Sequence, residues 1–229
     1  MMPLGWDRIR LVVFDMDGTL YRQRPLRLRM ARDLMLHTLL KRDVSAVAVL
    51  ARYRRIRERL GDEQISDFER ALIAQTAEAT GNSPGHVRSI VSEWIEQRPL
   101  GYLAACCYPA VRELFDGLRC SGRSIGILSD YPAKAKLEAL GLAADHIVYA
   151  GDEGIGLLKP HPKGLEILIA AAGMKPQETL VIGDRVDRDG LVARRVGAQA
   201  LIRSSSPIEG WQTFARFDDA LFAPVLAPS

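Results

Sequence analysis

The run Ile9-Arg10-Leu11-Val12-Val13-Phe14-Asp15-Met16-Asp17-Gly18-Thr19 contains the features that decide the fold. Its first six residues are mostly apolar and rich in β-branched side chains, which predicts a buried strand. Asp15 and Asp17 follow at once. Residues two apart in an extended chain point the same way, so both carboxylates can face one site. Gly18 then permits an abrupt turn of the chain away from that site.

The carboxylates of Asp15 and Asp17 repel each other when they lie side by side. At ~4 Å and an effective dielectric constant of ~20, the repulsion is about 4 kcal/mol. A divalent cation offsets this repulsion, and carboxylate oxygens are ligands that Mg²⁺ prefers. The motif therefore predicts a magnesium site, although an acidic turn at a strand end would by itself be ordinary.

Similar apolar runs recur along the chain, at residues 124–129, 147–150, 179–182 and 198–202. Helical stretches separate most of them, at residues 109–119, 132–140, 162–172 and 190–196. This alternation is typical of an α/β fold with a doubly wound parallel sheet, which carries its chemistry at the carboxyl ends of the strands. After the last strand we expect a loop and one helix near residues 211–222.

Residues 22–105 interrupt this alternation. They contain no convincing strand, and their apolar spacing predicts four helices, at residues 26–42, 44–60, 64–80 and 84–98. Ser83 followed by Pro84 is typical of a helix start. In the first helix the apolar residues that keep helical spacing are Leu28, Leu36, Leu39 and Leu40. In the third they are Ile65, Phe68, Leu72 and Ile73. We interpret the segment as a helical bundle inserted after the first strand.

Composition excludes several classes of protein. The 229 residues carry 31 Lys and Arg against 28 Asp and Glu, a net charge of +3, too balanced for a protein that binds nucleic acid over its whole surface. No apolar run approaches the ~18–20 residues that cross a bilayer, and the N-terminus lacks a signal-peptide core. Three cysteines make a poor disulfide framework. We therefore expect a reduced, cytoplasmic protein without nucleic-acid or membrane partners.

Charge is unevenly divided between the insertion and the rest of the chain. Residues 22–105 hold 15 Lys and Arg against 10 Asp and Glu, whereas the remainder holds 16 against 18. A basic insertion beside an acidic core would suit an anionic ligand between the two. The alternative is that the arginines at 52, 54, 55, 57 and 59 form a solvated helix face, which charge runs usually do.

Polar residues also follow the later strands of the predicted sheet. Ser129 ends the second strand, Lys159 lies in a loop after the third, and Asp184 follows the fourth. Each has an ordinary interpretation, as a helix cap, a surface lysine and a turn residue. Together with the two aspartates after the first strand they predict one site, because the carboxyl ends of parallel strands meet at one edge of the sheet.

Taken in chain order, these segments resemble the four motifs of the haloacid dehalogenase (HAD) superfamily of phosphohydrolases. The motifs are Asp15-Met16-Asp17-Gly18-Thr19-Leu20, Ser129-Asp130, Lys159-Pro160 and Gly183-Asp184-Arg185-Val186-Asp187-Arg188-Asp189. The resemblance implies a Rossmann-like α/β core formed by residues 1–21 and 106–229. Residues 22–105 would form an all-helical cap of the C1 type, nearest the phosphoglycolate-phosphatase and β-phosphoglucomutase branch.

The resemblance also implies site residues and a mechanism. Asp15 is the expected nucleophile, and Asp17 the general acid and then base. The Mg²⁺ ligands would be the Asp15 carboxylate, the Asp17 backbone carbonyl and the Asp184 carboxylate. The dehalogenases of the superfamily lack the second aspartate of the first motif, so the presence of Asp17 disfavours dehalogenation.

The remaining motif positions would bind phosphate or support the groups that do. Ser129, Asp130 and Lys159 form the expected phosphate-binding set, of which Ser129 and Lys159 donate hydrogen bonds to phosphoryl oxygens. Asp189 would bind metal-coordinated waters or steady Lys159. Asp187 fits the spacing less well, and His161 stands where an aspartate is common in the family, which leaves the lysine's role intact.

The resulting prediction is a Mg²⁺-dependent phosphatase that hydrolyses a small phosphorylated metabolite through an aspartyl-phosphate. One alternative is a phosphomutase of the β-phosphoglucomutase type, and another is a non-catalytic protein that binds a metabolite on the same scaffold. The cap would exclude water by moving on hinges near residues 21–24 and 99–105, with Gly101 supplying flexibility. Arg22, Arg24 and Arg27 either reach a second anionic group of the substrate or pair with carboxylates of the cap. The oligomeric state does not follow from the sequence.

Overall fold

The computed structural model describes residues 4–226, and its core is one sheet of six parallel strands. The strands are β1 (Leu11–Phe14), β2 (Ser124–Ser129), β3 (His146–Tyr149), β4 (Thr179–Gly183), β5 (Gln199–Arg203) and β6 (Gln212–Phe214). They lie in the order β3-β2-β1-β4-β5-β6. Chain order therefore reverses between β1 and β4, and the crevice outside the carboxyl ends of those two strands is where such sheets bind ligands.

The helices cover both faces of this sheet and form the insertion. They are α1 (Gln23–Lys41), α2 (Ser45–Asp62), α3 (Phe68–Thr80), α4 (Pro84–Val91), α5 (Leu100–Cys106), α6 (Val111–Cys120), α7 (Lys134–Leu140), α8 (Lys163–Ala171), α9 (Leu191–Val196) and α10 (Ala223–Leu226). Shorter π-helical turns lie at Ser92–Gln97 and Val186–Gly190, and 3₁₀ turns at Pro176–Glu178 and Ala220–Phe222.

Strand β1 is buried on both faces because its side chains alternate between two apolar layers. Leu11 and Val13 pack in one cluster with residues of α8 and α9. Val12 and Phe14 pack in the other with residues of α6 and α7. Alternation of this kind is what a strand between two helical layers requires. The predicted doubly wound parallel sheet with inserted helices is confirmed.

Helices α2, α3 and α4 of the insertion bury their apolar residues against one another. Val49, Leu72 and Val87 belong to this cluster, which is separate from the two that flank the sheet. The Ser83 hydroxyl accepts a hydrogen bond from the His86 N–H at 3.2 Å, so this predicted helix start is confirmed. The third helix begins at Phe68, later than predicted, after a residue in the left-handed region. The fourth ends at Val91 and continues as the first π-helical turn.

The apolar face predicted for the first helix of the insertion is wrong. Its leucines are exposed, at 66% for Leu28, 48% for Leu36, 67% for Leu39 and 83% for Leu40. The packed face is formed instead by Leu26, Met30 and Leu34, which follow a strict four-residue spacing. Helix α1 has apolar residues on both faces, so periodicity could not identify the buried one.

The helix predicted near residues 211–222 is also wrong. Residues Gln212–Phe214 form β6 at the edge of the sheet, and only Ala220–Phe222 make a helical turn. Phe214 packs edge-on against Phe217 and Phe222, with ring centroids 5.0 and 5.1 Å apart. These contacts and the pairing with β5 outweigh the local helical pattern.

The chain crosses between the sheet and the insertion at two adjacent points. Tyr21 forms an antiparallel bridge with Cys107, and the Arg22 N–H donates to the Cys106 carbonyl at 2.9 Å. The segment expected to be the second hinge is helical instead, since Gly101 lies within α5. Leu103 of α5 packs in the apolar cluster of the sheet. Treating residues 22–105 as a separate cap domain remains a proposal, as does hinge motion at the two crossings.

Between residues 4 and 226, none of the helices combines the length and apolar character that crossing a bilayer requires.

Candidate active site

Asp15 lies at the carboxyl end of β1, directly beside β4. Its backbone N–H donates to the Ile182 carbonyl at 2.9 Å, which continues the pairing of the two strands. One carboxylate oxygen accepts from Lys159 Nζ at 2.5 Å and the other from the Thr19 hydroxyl at 2.9 Å. Asp15 is 8% exposed. The side chain is therefore fixed in one orientation while it still borders a cavity.

Lys159 is buried among the carboxylates that the later strands supply. Its ammonium group donates to Asp15, to Asp189 at 2.6 Å and to the Leu128 carbonyl at 3.3 Å. The backbone N–H of Lys159 donates to the Asp130 carboxylate at 3.0 Å, which anchors the loop. The structure thus brings Lys159 into contact with Asp15, the expected nucleophile.

The loop after β4 places two further carboxylates beside Asp15. Asp184 lines the cavity, and a Cβ at Gly18, where φ is +104°, would collide with its carboxylate. Asp189 is buried, and its second oxygen accepts from the backbone N–H groups of Asp184 and Arg185 at 3.2 and 3.0 Å. Both Asp189 oxygens are thereby occupied, so Asp189 steadies Lys159 and the loop.

Asp17 lies two residues beyond Asp15 and has a separate set of partners. Lys136 Nζ donates to both carboxylate oxygens, at 2.7 and 2.9 Å, and the Tyr21 hydroxyl donates to one of them. The Asp17 backbone carbonyl accepts from Gln23 Nε2 at 2.5 Å. The carboxylate is therefore held in place, and the carbonyl expected to bind metal has a polar partner.

The second motif is only partly at the cavity. Asp130 and Tyr131 line it, whereas Ser129 is buried and does not. The Ser129 hydroxyl accepts from the Tyr131 N–H at 3.1 Å, which shapes the turn after β2. Arg57 of α2 donates to the Asp130 carbonyl and stacks on the Tyr131 ring at 3.6 Å.

These residues form the floor of a cavity of about 800 Å³ between the sheet edge and helices α1 and α2. Asp15, Asp17, Asp130, Lys159, Asp184 and Asp189 line it. Asp187 is not among them, because it pairs with Arg185 at 2.7 Å on the outer side of the loop. Of the basic run in α2, Arg54 and Arg57 line the cavity and the other three arginines are exposed. The interpretation as a solvated face holds for those three, and an anionic ligand beside Arg54 and Arg57 stays a prediction.

Comparison with known proteins agrees with this geometry. Residues 9–197 match the family of haloacid dehalogenase-like hydrolases. The chain belongs to this family. Among relatives of the hydrolase, phosphoglycolate phosphatase of Rhodospirillum rubrum is 26% identical over 219 residues, covering 92% of this chain and 87% of the relative. Glyceraldehyde 3-phosphate phosphatase of Pyrococcus furiosus is also 26% identical, covering 85% and 80%.

Solved structures show the same fold. The 2-haloacid dehalogenase of Pseudomonas syringae pv. Tomato superimposes with a TM-score of 0.64 at 20% identity, covering 95% of this chain and 97% of that one. The predicted membership of the HAD superfamily is confirmed, as is the enzyme class of phosphoric monoester hydrolase.

Electrostatics separate the two aspartates of the first motif in this HAD hydrolase. Burial raises the pKa of Asp15, and Asp189 and Asp184 raise it further while Lys159 opposes them. For Asp17 burial also favours the neutral form, but Lys136 and Tyr21 outweigh it and hold the pKa of Asp17 below its usual value. Asp17 is therefore charged at neutral pH, whereas the surroundings of Asp15 favour its neutral form.

Several residues of the HAD site were missed in the sequence. Lys136, Tyr21 and Arg57 are buried, and each contacts a motif residue. Lys136 had no distinguishing signal, because Lys134 on the same helix is exposed and the two look alike in sequence. Arg188 lies inside the fourth motif, yet nothing in its spacing indicates that it donates to the Lys159 carbonyl at 2.9 Å.

Proposed function

We propose that this hydrolase is a Mg²⁺-dependent phosphatase that hydrolyses a small phosphorylated metabolite through an aspartyl-phosphate on Asp15. The observation that carries the proposal is the grouping of Asp15, Lys159 and Asp184 at the floor of one cavity. A nucleophilic carboxylate, a cation for phosphoryl oxygens and a further carboxylate are what phosphoryl transfer needs. The phosphatase names of the relatives from Rhodospirillum rubrum and Pyrococcus furiosus support the same reaction.

The acidic residues fit a magnesium ion. Oxygens of Asp15, Asp184 and Asp189 lie within 4.8 Å of one another, and carboxylate oxygen is the donor that Mg²⁺ prefers. Asp15 and Asp184 would hold the ion, together with the Asp17 carbonyl once Gln23 releases it. When bound, Mg²⁺ offsets the negative charge that the carboxylates and the phosphate bring together.

Asp15 begins the reaction by attacking phosphorus. An oxygen of its carboxylate forms the new P–O bond while the bond to the alcohol oxygen of the substrate breaks, and that oxygen leaves with the electron pair. Lys159, which already contacts Asp15, is placed to donate hydrogen bonds to the phosphoryl oxygens. Asp189 keeps the ammonium group of Lys159 in position.

Asp17 acts first as the general acid and then as the general base. It is charged before substrate binds, and the arriving phosphate brings negative charge that favours its protonation. Protonated Asp17 gives its proton to the departing alkoxide, and the carboxylate then takes a proton from the water that attacks the aspartyl-phosphate. Inorganic phosphate leaves and Asp15 is regenerated.

Phosphate release in the presence of Mg²⁺ tests this proposal. Asp15→Asn removes the nucleophile, and we expect release to fall at least ~1,000-fold, as it should when EDTA is added. Asp187→Asn is the matched control, because Asp187 belongs to the same acidic loop but faces away from the cavity. We expect it to retain activity, and mass spectrometry should detect a phosphorylated Asp15 in the wild type.

Other results would point to a different protein. Undiminished turnover by Asp15→Asn excludes the aspartyl-phosphate. Transfer of the phosphoryl group to a second sugar hydroxyl, with dependence on a bisphosphate activator, would indicate the phosphomutase. Tight metabolite binding without turnover would indicate a non-catalytic scaffold.

A further inference from the structure

The lining of the cavity above Asp15 changes from charged to apolar residues along its length. Its charged lining comes from the sheet edge and from the second half of α2, where Arg57 and Glu58 lie. The first half of α2 contributes Val47, Leu50 and Ala51 instead. The wall opposite the aspartates is therefore apolar over one end and ionic over the other.

The distance between the ionic end and the apolar end of the cavity can be measured along helix α2. Glu58 contacts Arg188, which donates to the Lys159 carbonyl, so the Glu58 end of the helix lies beside the catalytic lysine. Val47 is eleven residues earlier in the same helix, which is about 16 Å along the axis at 1.5 Å per residue. The alcohol portion of a two-carbon phosphate ester is too short to reach that end.

Two other elements complete the apolar end. Leu26, Met30 and Leu34 of α1 line the cavity, as do Trp94 and Ile95 of the π-helical turn that follows α4. Two basic residues, Arg27 and Arg54, also border the cavity, but both are exposed to solvent. Sites of ~300–1,000 Å³ enclose drug-sized ligands, and the volume of about 800 Å³ falls in that range.

We infer that the substrate is an amphiphilic phosphate monoester, in which the phosphate meets Asp15 and an apolar chain or ring packs against Leu34, Val47 and Leu50. This inference rests on the proposed phosphatase function. Water against an apolar wall is displaced favourably by an apolar group, so the wall adds affinity for such an ester and none for a short polar one. The substrate class thereby differs from the short polar phosphates named for the relatives.

A series of n-alkyl monophosphates tests the inference, from ethyl to octyl phosphate, each below its micelle concentration and with Mg²⁺. The leaving oxygen is the same primary alcohol throughout, so differences in kcat/KM report contact with the apolar wall. We expect kcat/KM to rise by up to ~fourfold per added methylene, and at least ~100-fold from ethyl to octyl phosphate. Equal rates, or a preference for ethyl phosphate, would overturn the inference and leave the phosphatase proposal intact. No phosphate release from any ester would overturn both.

A matched pair of variants tests where the chain binds. Val47→Asp places a charge in the wall, and Val44→Asp places the same charge three residues away, outside the cavity; the two valines are 43% and 68% exposed. We expect Val47→Asp to lower the ratio of octyl to ethyl kcat/KM at least ~tenfold. Val44→Asp should leave the ratio unchanged. An equal loss for both esters in Val47→Asp would overturn the assignment, and circular dichroism checks that each variant is folded.

Discussion

The pairing of Lys136 with Asp17 gives a prediction about a single buried contact. Lys136→Met keeps the length of the side chain but removes the charge that holds the pKa of Asp17 below its usual value. We expect that pKa to rise, and the free energy of unfolding to fall by about 1–3 kcal/mol because a half-buried carboxylate loses its partner. Carbon-13 NMR of the aspartate carboxyl groups and urea unfolding measure the two effects.

Lys134→Met is the control for that experiment. Lys134 lies on the same helix but is exposed, so we expect its removal to change neither the pKa of Asp17 nor stability by more than about 0.5 kcal/mol. An unchanged Asp17 titration in Lys136→Met would show that burial and Tyr21 alone set its ionisation.

Asp184 gives a prediction about pH and metal. Burial, and then the charge of Asp189, raise the pKa of Asp184 to about 6 from its ordinary 3.8. Between these values the folded protein binds a proton that the unfolded chain has released, so without metal this group costs stability as the pH rises from about 4 to 6. Bound Mg²⁺ compensates the charge above that range. We therefore expect Mg²⁺ to raise Tm more at about pH 7.5 than at about pH 5.

Calorimetry with and without Mg²⁺ at the two pH values measures this difference. Asp184→Asn supplies the reference, because an amide neither titrates nor brings a charge that Mg²⁺ must compensate. The same Mg²⁺-induced shift at both pH values in the wild type would show that Asp184 does not control metal binding.

The edge strand β6 gives a prediction about an element that local pattern did not identify. Phe214 of β6 is 3% exposed and packs on Phe217 and Phe222. We expect Phe214→Ala to lower the free energy of unfolding by about 3–5 kcal/mol, since it leaves a cavity among aromatic rings. Leu40→Ala in α1 should change it by less than about 0.5 kcal/mol, because Leu40 is 83% exposed. Chemical denaturation compares the two, and equal costs would contradict the packing described for both elements.

The sequence predicts two kinds of element well: helices with one apolar face, and strands that are apolar on both faces. Strand β1 is apolar throughout and lies between two layers, and the buried residues of α6 are spaced as one stripe. The buried face of helix α1 was predicted wrongly because leucines occupy both of its faces. Only the packing shows that Leu26, Met30 and Leu34 face inward. The pairing of β6 with β5 likewise cannot be predicted from the local sequence of β6, because it depends on contacts with another segment of the chain.

The contact between the insertion and the sheet gives a prediction about the whole molecule. Glu58 and Asp62 of α2 pair with Arg185 and Arg188 of the loop after β4, at 2.5 to 3.2 Å. Ion pairs of this exposure contribute about 0.2–1 kcal/mol each. Loss of the three pairs removes about 0.6–3 kcal/mol, so Glu58→Gln combined with Asp62→Asn should favour separation of insertion and sheet by about three- to 150-fold. We expect a larger radius of gyration in X-ray scattering and faster tryptic cleavage near Arg22.

Glu63→Gln is the control for this double variant. Glu63 directly follows α2, and within residues 4–226 its ion pair is with Arg59, at 3.9 Å. Its loss therefore removes a charge at the end of α2 without removing an ion pair to the sheet. Unchanged scattering and cleavage in the double variant would show that apolar contacts alone hold the insertion in place.

The class of fold, the order of the four motifs and the meeting of Asp15, Lys159 and Asp184 at one edge of the sheet all follow from the sequence, because parallel strands bring their carboxyl ends to one edge whatever lies between them. Only the tertiary structure decided which lysine neutralises Asp17, that Ser129 is buried away from the cavity, and which face of α1 is packed. Those outcomes depend on contacts between residues far apart in the chain, such as Lys136 with Asp17 and Arg57 with Asp130. Neither helical period nor residue type reports such contacts, since both describe only neighbours along the chain.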